Sequence, residues 1–237
     1  MNDSPAPAPA KLSPWTIWVP IIIATLGIVV FYNYLIYRSR IDNDANRPAI
    51  LGRLEKDLEL TERSGKKVHL ADLKGKVLII SWVFTRCPRG CAAVIAKLKK
   101  LQSEFANEPG VQFVSVTLDA DDTPEMMQKF ARGLDIKDDA NWWFVNGEKD
   151  AVRKFMTSQV HFRPVQDMPE ADRLSPDDKY IHDLRVALID HLGHVRSLAD
   201  ILNADPEFAK FWDEKLRKDL RYLLNEQKKN PYKPLAN

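Results

Sequence analysis

The pattern of hydrophobic and polar residues divides the chain into a short leader, one long apolar segment and a larger region of alternating character. Residues 1–14 are rich in proline and alanine without apolar periodicity, so we interpret them as a disordered leader. Residues 15–37 carry no formal charge and exceed the roughly 20 apolar residues that cross a bilayer as a helix. Tryptophan and tyrosine residues lie toward both ends of this segment, where aromatic rings favour the membrane interface. We therefore predict a transmembrane helix over 15–37.

A cleaved signal peptide is the alternative for this segment. Its apolar stretch is longer than the roughly 7–15 residues of a signal-peptide core, and no A-x-A-like site follows it. A polar segment, 38–57, follows instead, and we interpret it as a linker. A permanent single-span anchor is the better interpretation.

The charges that flank the apolar segment favour one orientation. Lys11 precedes the segment, whereas Arg38, Arg40, Arg47 and Arg53 follow it. By the positive-inside rule this asymmetry predicts a cytoplasmic C-terminal side, although long domains translocate largely regardless of charge. The charges alone therefore leave the orientation open.

Beyond residue 57 the pattern alternates between strands and helices. An unbroken run of β-branched and aromatic residues at 77–84 is typical of a strand buried on both faces. Thr123 and Pro124 are a favourable helix start, with a hydroxyl cap and a proline at the first position. We predict a hairpin around Gly65, strands at 77–84, 111–118, 142–145 and 185–190, and helices around 94–105, 123–134 and 152–156. Such alternation predicts an α/β domain over 58–204, with a central sheet flanked by helices.

The C-terminal region predicts one further helix and a tail. Asp205 and Pro206 provide a cap and a first position for an amphipathic helix over 205–228, and residues 229–237 look like a loose tail. The side of the helix predicted to pack is lined by Phe208, Trp212, Leu216 and Leu220.

Composition narrows the classes of function. The chain is 45% hydrophobic with a formal net charge of +2, which lacks the basic excess of a nucleic-acid-binding protein. It contains two cysteines, Cys87 and Cys91. They allow one disulfide, one metal site or one redox pair, but no disulfide-rich fold.

The cysteines lie between a predicted buried strand and a predicted helix. A helix N-terminus favours thiolate over thiol, and Arg86 and Arg89 add positive charge nearby. If both cysteines are in the first turns of the helix, their i,i+4 spacing places the sulfurs on one face. The C-x-x-x-C spacing differs from the C-x-x-C of thioredoxin-type oxidoreductases. As a metal site, two thiolates alone are incomplete for zinc, which prefers four ligands, whereas two thiolates and an imidazole suit Cu(I). The remaining alternative is that the two cysteines are buried structural residues that bind no metal and carry out no redox reaction.

The five histidines offer few obvious ligands. We interpret His69 as a surface residue, His161 as part of a loop, and His191 and His194 as parts of a solvated turn. His182 stands shortly before the fourth predicted strand. It reaches the cysteines only if those two elements are neighbours, which the pattern does not establish.

Three segments in order resemble the SCO/SenC family, the copper-delivery proteins of cytochrome c oxidase assembly. "LTERSGKKVHLADLKGKVLIISWVFTRCPRGC" resembles the family's hairpin, turn, first core strand and C-P-x-x-C motif. "VTLDADDTPEMM" is similar to its acidic segment, with Asp119 at the aspartate position, and "HDLRVALIDHLG" matches its histidine segment. The resemblance covers about 58–198 and implies a thioredoxin-like fold.

The resemblance also implies a copper site. Cys87, Cys91 and His182 would bind copper as Cu(I), with Cu(II) as a further form, and Asp119 would support the site from nearby. The chain departs from the family in two places, with Ala92 where proline is frequent and Asp183 where Ser or Thr is usual. Neither departure removes a ligand, but Asp183 would change the charge at the site.

The resemblance therefore implies a membrane-anchored copper chaperone that serves a cytochrome oxidase copper subunit or another copper protein. The resemblance also implies a domain outside the cytoplasmic membrane or in the mitochondrial intermembrane space. Because the leader is too short and too poor in arginine for a usual mitochondrial transit peptide, we expect a bacterial cytoplasmic membrane with the domain in the periplasm, against the arginine asymmetry. The alternative function is a thiol–disulfide reductase or redox sensor that acts on the cysteines of an acceptor.

Overall fold

The computed structural model describes residues 14–42 and 47–233 and divides into two compact units, 1–47 and 48–237. The first unit contains one helix, α1 (Trp15–Asp42), with Pro20 in its first turns. Within this helix, Trp15–Tyr37 is long and apolar enough to cross a membrane. The predicted span is thus helical throughout, and the helix continues five residues beyond it. Residues 1–13, which contain most of the predicted leader, lie outside the described part.

The second unit is built on a mixed eight-stranded sheet. Its strands are β1 (Gly52–Arg53), β2 (Glu59–Glu62), β3 (Lys67–His69), β4 (Val77–Val83), β5 (Val111–Thr117), β6 (Trp142–Asn146), β9 (Val186–Ile189) and β10 (His194–Ala199). They lie in the order β1-β10-β9-β4-β5-β6-β2-β3, in which β4, β5 and β6 are parallel and the remaining neighbours pair antiparallel. A separate two-stranded ladder joins β7 (Gln166–Asp167) to β8 (Tyr180–Ile181).

Helices cover both faces of this sheet, as the alternating pattern predicts. The apolar sides of α2 (Cys91–Glu104), α3 (Pro124–Gly133) and α5 (Pro206–Lys229) pack into one core, and α4 (Lys149–Ser158) packs into the core on the opposite face. Every residue of β4 and β5 is buried, because these central strands are covered on both sides. This double coverage explains the unbroken apolar runs in the sequence.

Two helix starts follow directly from their cap residues. The Thr123 hydroxyl accepts a hydrogen bond from the backbone N–H of Met126, and Pro124 occupies the first turn of α3. The Asp205 carboxylate accepts from the N–H of Glu207 in the same way, with Pro206 at the start of α5. Both predicted starts are confirmed.

The structure differs from the predicted linker over 38–57. Residues 38–42 belong to α1, residues 43–46 lie outside the described part, and Gly52–Arg53 forms β1 at the sheet edge, paired with β10. The Pro48 carbonyl accepts hydrogen bonds from the buried Arg196 guanidinium at 2.6 and 3.0 Å. Backbone pairing with β10 and the hydrogen bonds from Arg196 attach residues 48–53 to the domain. Because these contacts involve the backbone, the segment has no hydrophobic periodicity from which a strand could be predicted.

The C-terminal end also departs from its prediction. Phe208 is 59% exposed, whereas Leu216 and Leu220 are buried as expected. His191, which we expected in a solvated turn, is buried, and its Nε2 lies 2.7 Å from the Asn230 carbonyl oxygen. The predicted tail is therefore docked at its start, while residues 234–237 lie outside the described part.

Candidate metal centre

The loop between β4 and α2 carries both cysteines. Cys91 is the first residue of α2, but Cys87 precedes the helix, so the condition that both lie in its first turns is not met. The carboxylate of buried Asp122 fixes the start of this loop. It accepts hydrogen bonds from the Thr85 N–H at 3.1 Å, from the Thr85 hydroxyl at 2.5 Å and from the Thr117 hydroxyl at 2.6 Å. The loop is thereby tied to the end of β5.

Sheet topology brings His182 to this loop. Strand β9 runs antiparallel to β4, so that Val186, at the start of β9, pairs with Ser81 near the end of β4. The segment that enters β9 therefore lies at the edge of the sheet from which the cysteine loop departs. His182 directly follows β8 in that segment. The cysteine loop and the segment that carries His182 are therefore neighbours, which the sequence pattern alone did not establish.

The three predicted ligands converge. His182 Nε2 lies 3.3 Å from Cys91 Sγ and 4.0 Å from Cys87 Sγ. The two sulfurs and this nitrogen all lie within 4.8 Å of one another. Cys91 is 1% exposed, whereas Cys87 and His182 are half-buried. The donor set is soft, which matches Cu(I) better than the oxygen-seeking cations.

Hydrogen bonding selects the form of His182. Its Nδ1 lies 3.0 Å from the Asp183 carbonyl oxygen, an acceptor, so Nδ1 carries the proton and Nε2 offers a lone pair to the sulfurs. The Asp183 carboxylate is buried and accepts hydrogen bonds from the Arg163 N–H and from the N–H and guanidinium of Arg185. Its charge is thus compensated by Arg185.

The two thiols ionise differently. A hydrogen bond from the Cys91 thiol is the main cause that lowers the pKa of Cys87 to about 3 against the effect of burial, and the backbone N–H groups of Cys91 and Arg89 act in the same direction. The same hydrogen bond, together with burial, raises the pKa of Cys91 well above its ordinary value. The pair therefore holds one proton near neutral pH, and a metal bound through both sulfurs would release it.

The sequence suggested that Arg86 and Arg89 add positive charge near the cysteines, but in the structure both arginines are paired with carboxylates. The Arg86 guanidinium lies 2.7 Å from the Asp119 carboxylate, and Arg89 contacts the Asp178 carboxylate at 2.7 Å. Asp119 thus lies beside the loop but outside the three-ligand cluster. Its contact with the loop is this ion pair with Arg86, which precedes Cys87 in the sequence.

Sequence reasoning missed two of these anchoring carboxylates. Asp122 lies three residues after Asp119 in the same acidic segment and is fully buried. Nothing in the sequence distinguishes it from the neighbouring aspartates of that segment. Asp178 lies in a long polar stretch, 170–180, whose several acidic residues look alike in the sequence. A carboxylate that is buried by tertiary contacts is recognisable only once the fold is known.

Comparison with known proteins places these features in a family. The SCO1/SenC family model matches residues 48–214. The SCO1 protein homolog of Bacillus subtilis (strain 168) is 29% identical over 136 residues, which cover 56% of this chain and 66% of that protein. The thiol-disulfide oxidoreductase ResA of a Bacillus cereus strain is 30% identical over 87 residues, which cover 37% of this chain and 48% of ResA. The matches thus span about half to two-thirds of these curated relatives.

Solved structures agree on the fold. A SCO1/SenC family lipoprotein from Bacillus anthracis str. Ames has a TM-score of 0.61 at 28% identity, with 75% of this chain and 98% of that chain covered. Bradyrhizobium japonicum ScoI with copper bound has a TM-score of 0.50 at 23% identity, with 68% and 98% covered. The predicted thioredoxin-like fold is confirmed, and the chain belongs to the SCO1/SenC family.

Proposed function

We propose that the protein is a membrane-anchored copper chaperone, which binds one Cu(I) through Cys87, Cys91 and His182. It would deliver the ion to a respiratory oxidase copper centre or to another copper protein. The single observation that carries this proposal is the convergence of two sulfurs and one imidazole nitrogen within 4.8 Å. The copper bound to the structurally similar ScoI supports the choice of metal.

The contacts of the three residues suggest how such a chaperone would load and release its ion. Cys91 and His182 are held by α2 and by the Asp183 carbonyl, whereas Cys87 lies on the loop and is the more exposed sulfur. An acceptor thiolate would replace Cys87 first, because that ligand is the one an incoming group can approach. Release then proceeds by stepwise exchange of ligands, without a free ion.

A competition titration tests the proposal. The full chain in detergent micelles, reduced and free of oxygen, is titrated with Cu(I) against a chromophoric chelator. We expect one ion per chain, loss of binding in the Cys87→Ser, Cys91→Ser double variant, and weaker binding in His182→Ala. His69→Ala serves as a matched control, because this exposed histidine pairs with Asp57. Equal affinity of the double variant and the parent would contradict the proposal.

The membrane anchor and its orientation belong to the same proposal. We infer that Trp15–Tyr37 spans the cytoplasmic membrane of a bacterium and that the domain after it faces the periplasm. Protease added to intact spheroplasts should remove the domain, whereas protection until lysis would place it in the cytoplasm and contradict this orientation.

A thiol–disulfide reductase is the second candidate, and a specific observation favours it. The two sulfurs are close, and one of them is held as thiolate. In this reaction the Cys87 thiolate would attack an acceptor disulfide to form a mixed disulfide, and Cys91 would then attack Cys87 and leave a Cys87–Cys91 disulfide. Two electrons would pass to the acceptor, whose two thiols would take one proton from Cys91 and one from solvent. Turnover of a model disulfide that persists in His182→Ala would favour this function over copper delivery.

A further inference from the structure

We propose that Arg89 is a positioning residue for copper, because it ties the segment that carries His182 to the loop that carries the cysteines. This inference rests on the proposed function. Arg89 lies between the two cysteines in sequence, and the two ligand-bearing segments are far apart along the chain, since Cys91 and His182 are 91 residues apart. A residue that joins them in space therefore controls how the nitrogen faces the sulfurs.

The Arg89 guanidinium fixes the loop before His182 at two points. Its Nε lies 2.9 and 2.8 Å from the two carboxylate oxygens of Asp178, and one terminal nitrogen lies 2.8 Å from the Asp172 carbonyl oxygen. The Asp178 carboxylate is 2% exposed and also accepts from the Leu174 N–H at 2.9 Å. One side chain thereby shapes residues 172–178, which lead into β8 and His182.

The other polar links between the two segments are weaker. Arg86 reaches Asp177 at 3.7 Å, and the Asp177 side chain is 49% exposed. Lys179 reaches Asp121 at 3.9 Å, but Asp121 lies in the loop after β5 and its side chain is 72% exposed, so this pair does not join the His182 segment to the cysteine loop. Exposed ion pairs of this length contribute little, whereas a charge-assisted pair with a buried carboxylate is stronger and more directional.

Aromatic packing supports the same segment at a different point, the side chain of Tyr180 in β8. The Tyr180 ring meets the Phe84 ring edge-on, with centroids 5.8 Å apart, and the Arg153 guanidinium lies over the Tyr180 ring. These contacts hold β8 against the end of β4. They act on a side chain two residues before His182, whereas the Arg89 pair determines the course of the loop that brings β8 there.

The consequence is a metal site whose third ligand depends on Arg89. Without the guanidinium the loop over 172–178 loses its hydrogen-bond donor, and His182 samples a wider range of positions. The sulfurs have supports that do not involve Arg89, because Asp122 holds the start of their loop through Thr85 and Cys91 belongs to α2. Loss of a group that orients a metal ligand typically costs about 10–100-fold in affinity.

The test is a double-variant titration of the full chain in detergent with Cu(I) itself. We expect Arg89→Ala to weaken Cu(I) binding by about 10–100-fold in the parent background. In the His182→Ala background, the same change should alter affinity by less than about threefold, because the ligand through which Arg89 acts is gone. Arg89→Lys should behave like Arg89→Ala, since a lysine keeps the charge but lacks the fork that grips Asp178.

A second readout needs no copper. Hydrogen exchange of the metal-free protein should show faster exchange over 172–182 in Arg89→Ala. Arg217→Ala is the matched control, because Arg217 makes a similar fork with Glu104, joining α5 to the end of α2 away from the site. This control should leave both the exchange of 172–182 and the Cu(I) affinity unchanged. Asp178→Asn makes the same test if Arg89→Ala does not fold.

The outcomes separate the two proposals. If the parent fails to bind Cu(I), the proposed function falls. If the parent binds but Arg89→Ala keeps its affinity within about threefold, or loses as much with His182 absent, the positioning role is overturned while copper binding stands. Retention of affinity in Arg89→Lys would also overturn it, because charge near Cys87 would then account for the effect.

Discussion

The protonation of the cysteine pair gives a prediction about the reactivity of Cys87. In the reduced, metal-free protein, the hydrogen bond from the Cys91 thiol lowers the pKa of Cys87 to about 3. Cys87 is then almost fully thiolate at every pH between 5 and 8. We expect the rate of its alkylation by iodoacetamide to be nearly constant over this range.

The contrast with an ordinary cysteine is large. A thiol of pKa about 8.5 is about 0.03% thiolate at pH 5 and about 24% at pH 8, so its rate rises by nearly three orders of magnitude. The absolute rate is a poor criterion, because intrinsic nucleophilicity falls as the pKa falls, by about 2–3 orders of magnitude here. The test is therefore how steeply the alkylation rate of Cys87 changes with pH.

The assay follows alkylation by mass spectrometry of the peptides that contain each cysteine. The modification should appear first on Cys87, since Cys91 is buried and its pKa is raised. His182 is the histidine that faces Cys87, so the profile is repeated in His182→Ala and should stay flat. In Cys91→Ala the main cause of the low pKa is gone, and an inflection should enter the range. A tenfold rise per pH unit in the parent would refute the reasoning.

Three further predictions concern stability and are measured by urea unfolding. Asp190→Asn should lower the free energy of unfolding at pH 7 by about 3–5 kcal/mol, because it breaks a buried ion pair. Burial raises the pKa of Asp190, but hydrogen bonds from the His194 N–H and a buried arginine lower it more. The stabilisation by the Asp190 carboxylate is therefore present above pH about 4 and is lost as the pH falls through the pKa of the folded state. A difference in unfolding free energy between parent and variant that persists undiminished at pH 2 would contradict this. Leu98→Ala should lower the free energy of unfolding by about 2–5 kcal/mol, because this buried side chain fills the core under α2. Leu174→Ala is the control and should cost less than about 0.5 kcal/mol, because Leu174 is 69% exposed. Equal losses in the two variants would contradict the packing described. Asp122→Ala should cost about 1–3 kcal/mol because it removes the carboxylate that accepts from the Thr85 N–H and hydroxyl and from the buried Thr117 hydroxyl. It should also speed alkylation of Cys91, and no change in either quantity would remove its anchoring role.

The sequence predicts best those elements that carry a contiguous signal. The apolar run at 77–84 and the uncharged segment at 15–37 identify β4 and the apolar part of α1 without any knowledge of the fold. The strand Gly52–Arg53 carries no such signal, because backbone pairing to a neighbouring strand holds it. His191 was misplaced for a related reason, since the C-terminal chain that buries it is remote in sequence.

The candidate site shows the same division. The i,i+4 spacing of Cys87 and Cys91 is local and visible, although Cys87 proves to lie outside the helix. The pairing of His182 with them depends on β9 lying beside β4, and only the resemblance to a family supplied that neighbourhood. No pattern in the sequence indicates which of several acidic residues in 170–180 is buried against Arg89. Long-range contacts decide these positions.

The most direct test of the central claim is X-ray absorption at the copper edge of the Cu(I)-loaded full chain. The account predicts two sulfur ligands and one imidazole nitrogen per copper in the parent, with the imidazole signal lost in His182→Ala. A copper ion coordinated by nitrogen and oxygen alone, or a parent spectrum unchanged by His182→Ala, would contradict the assignment of the three ligands.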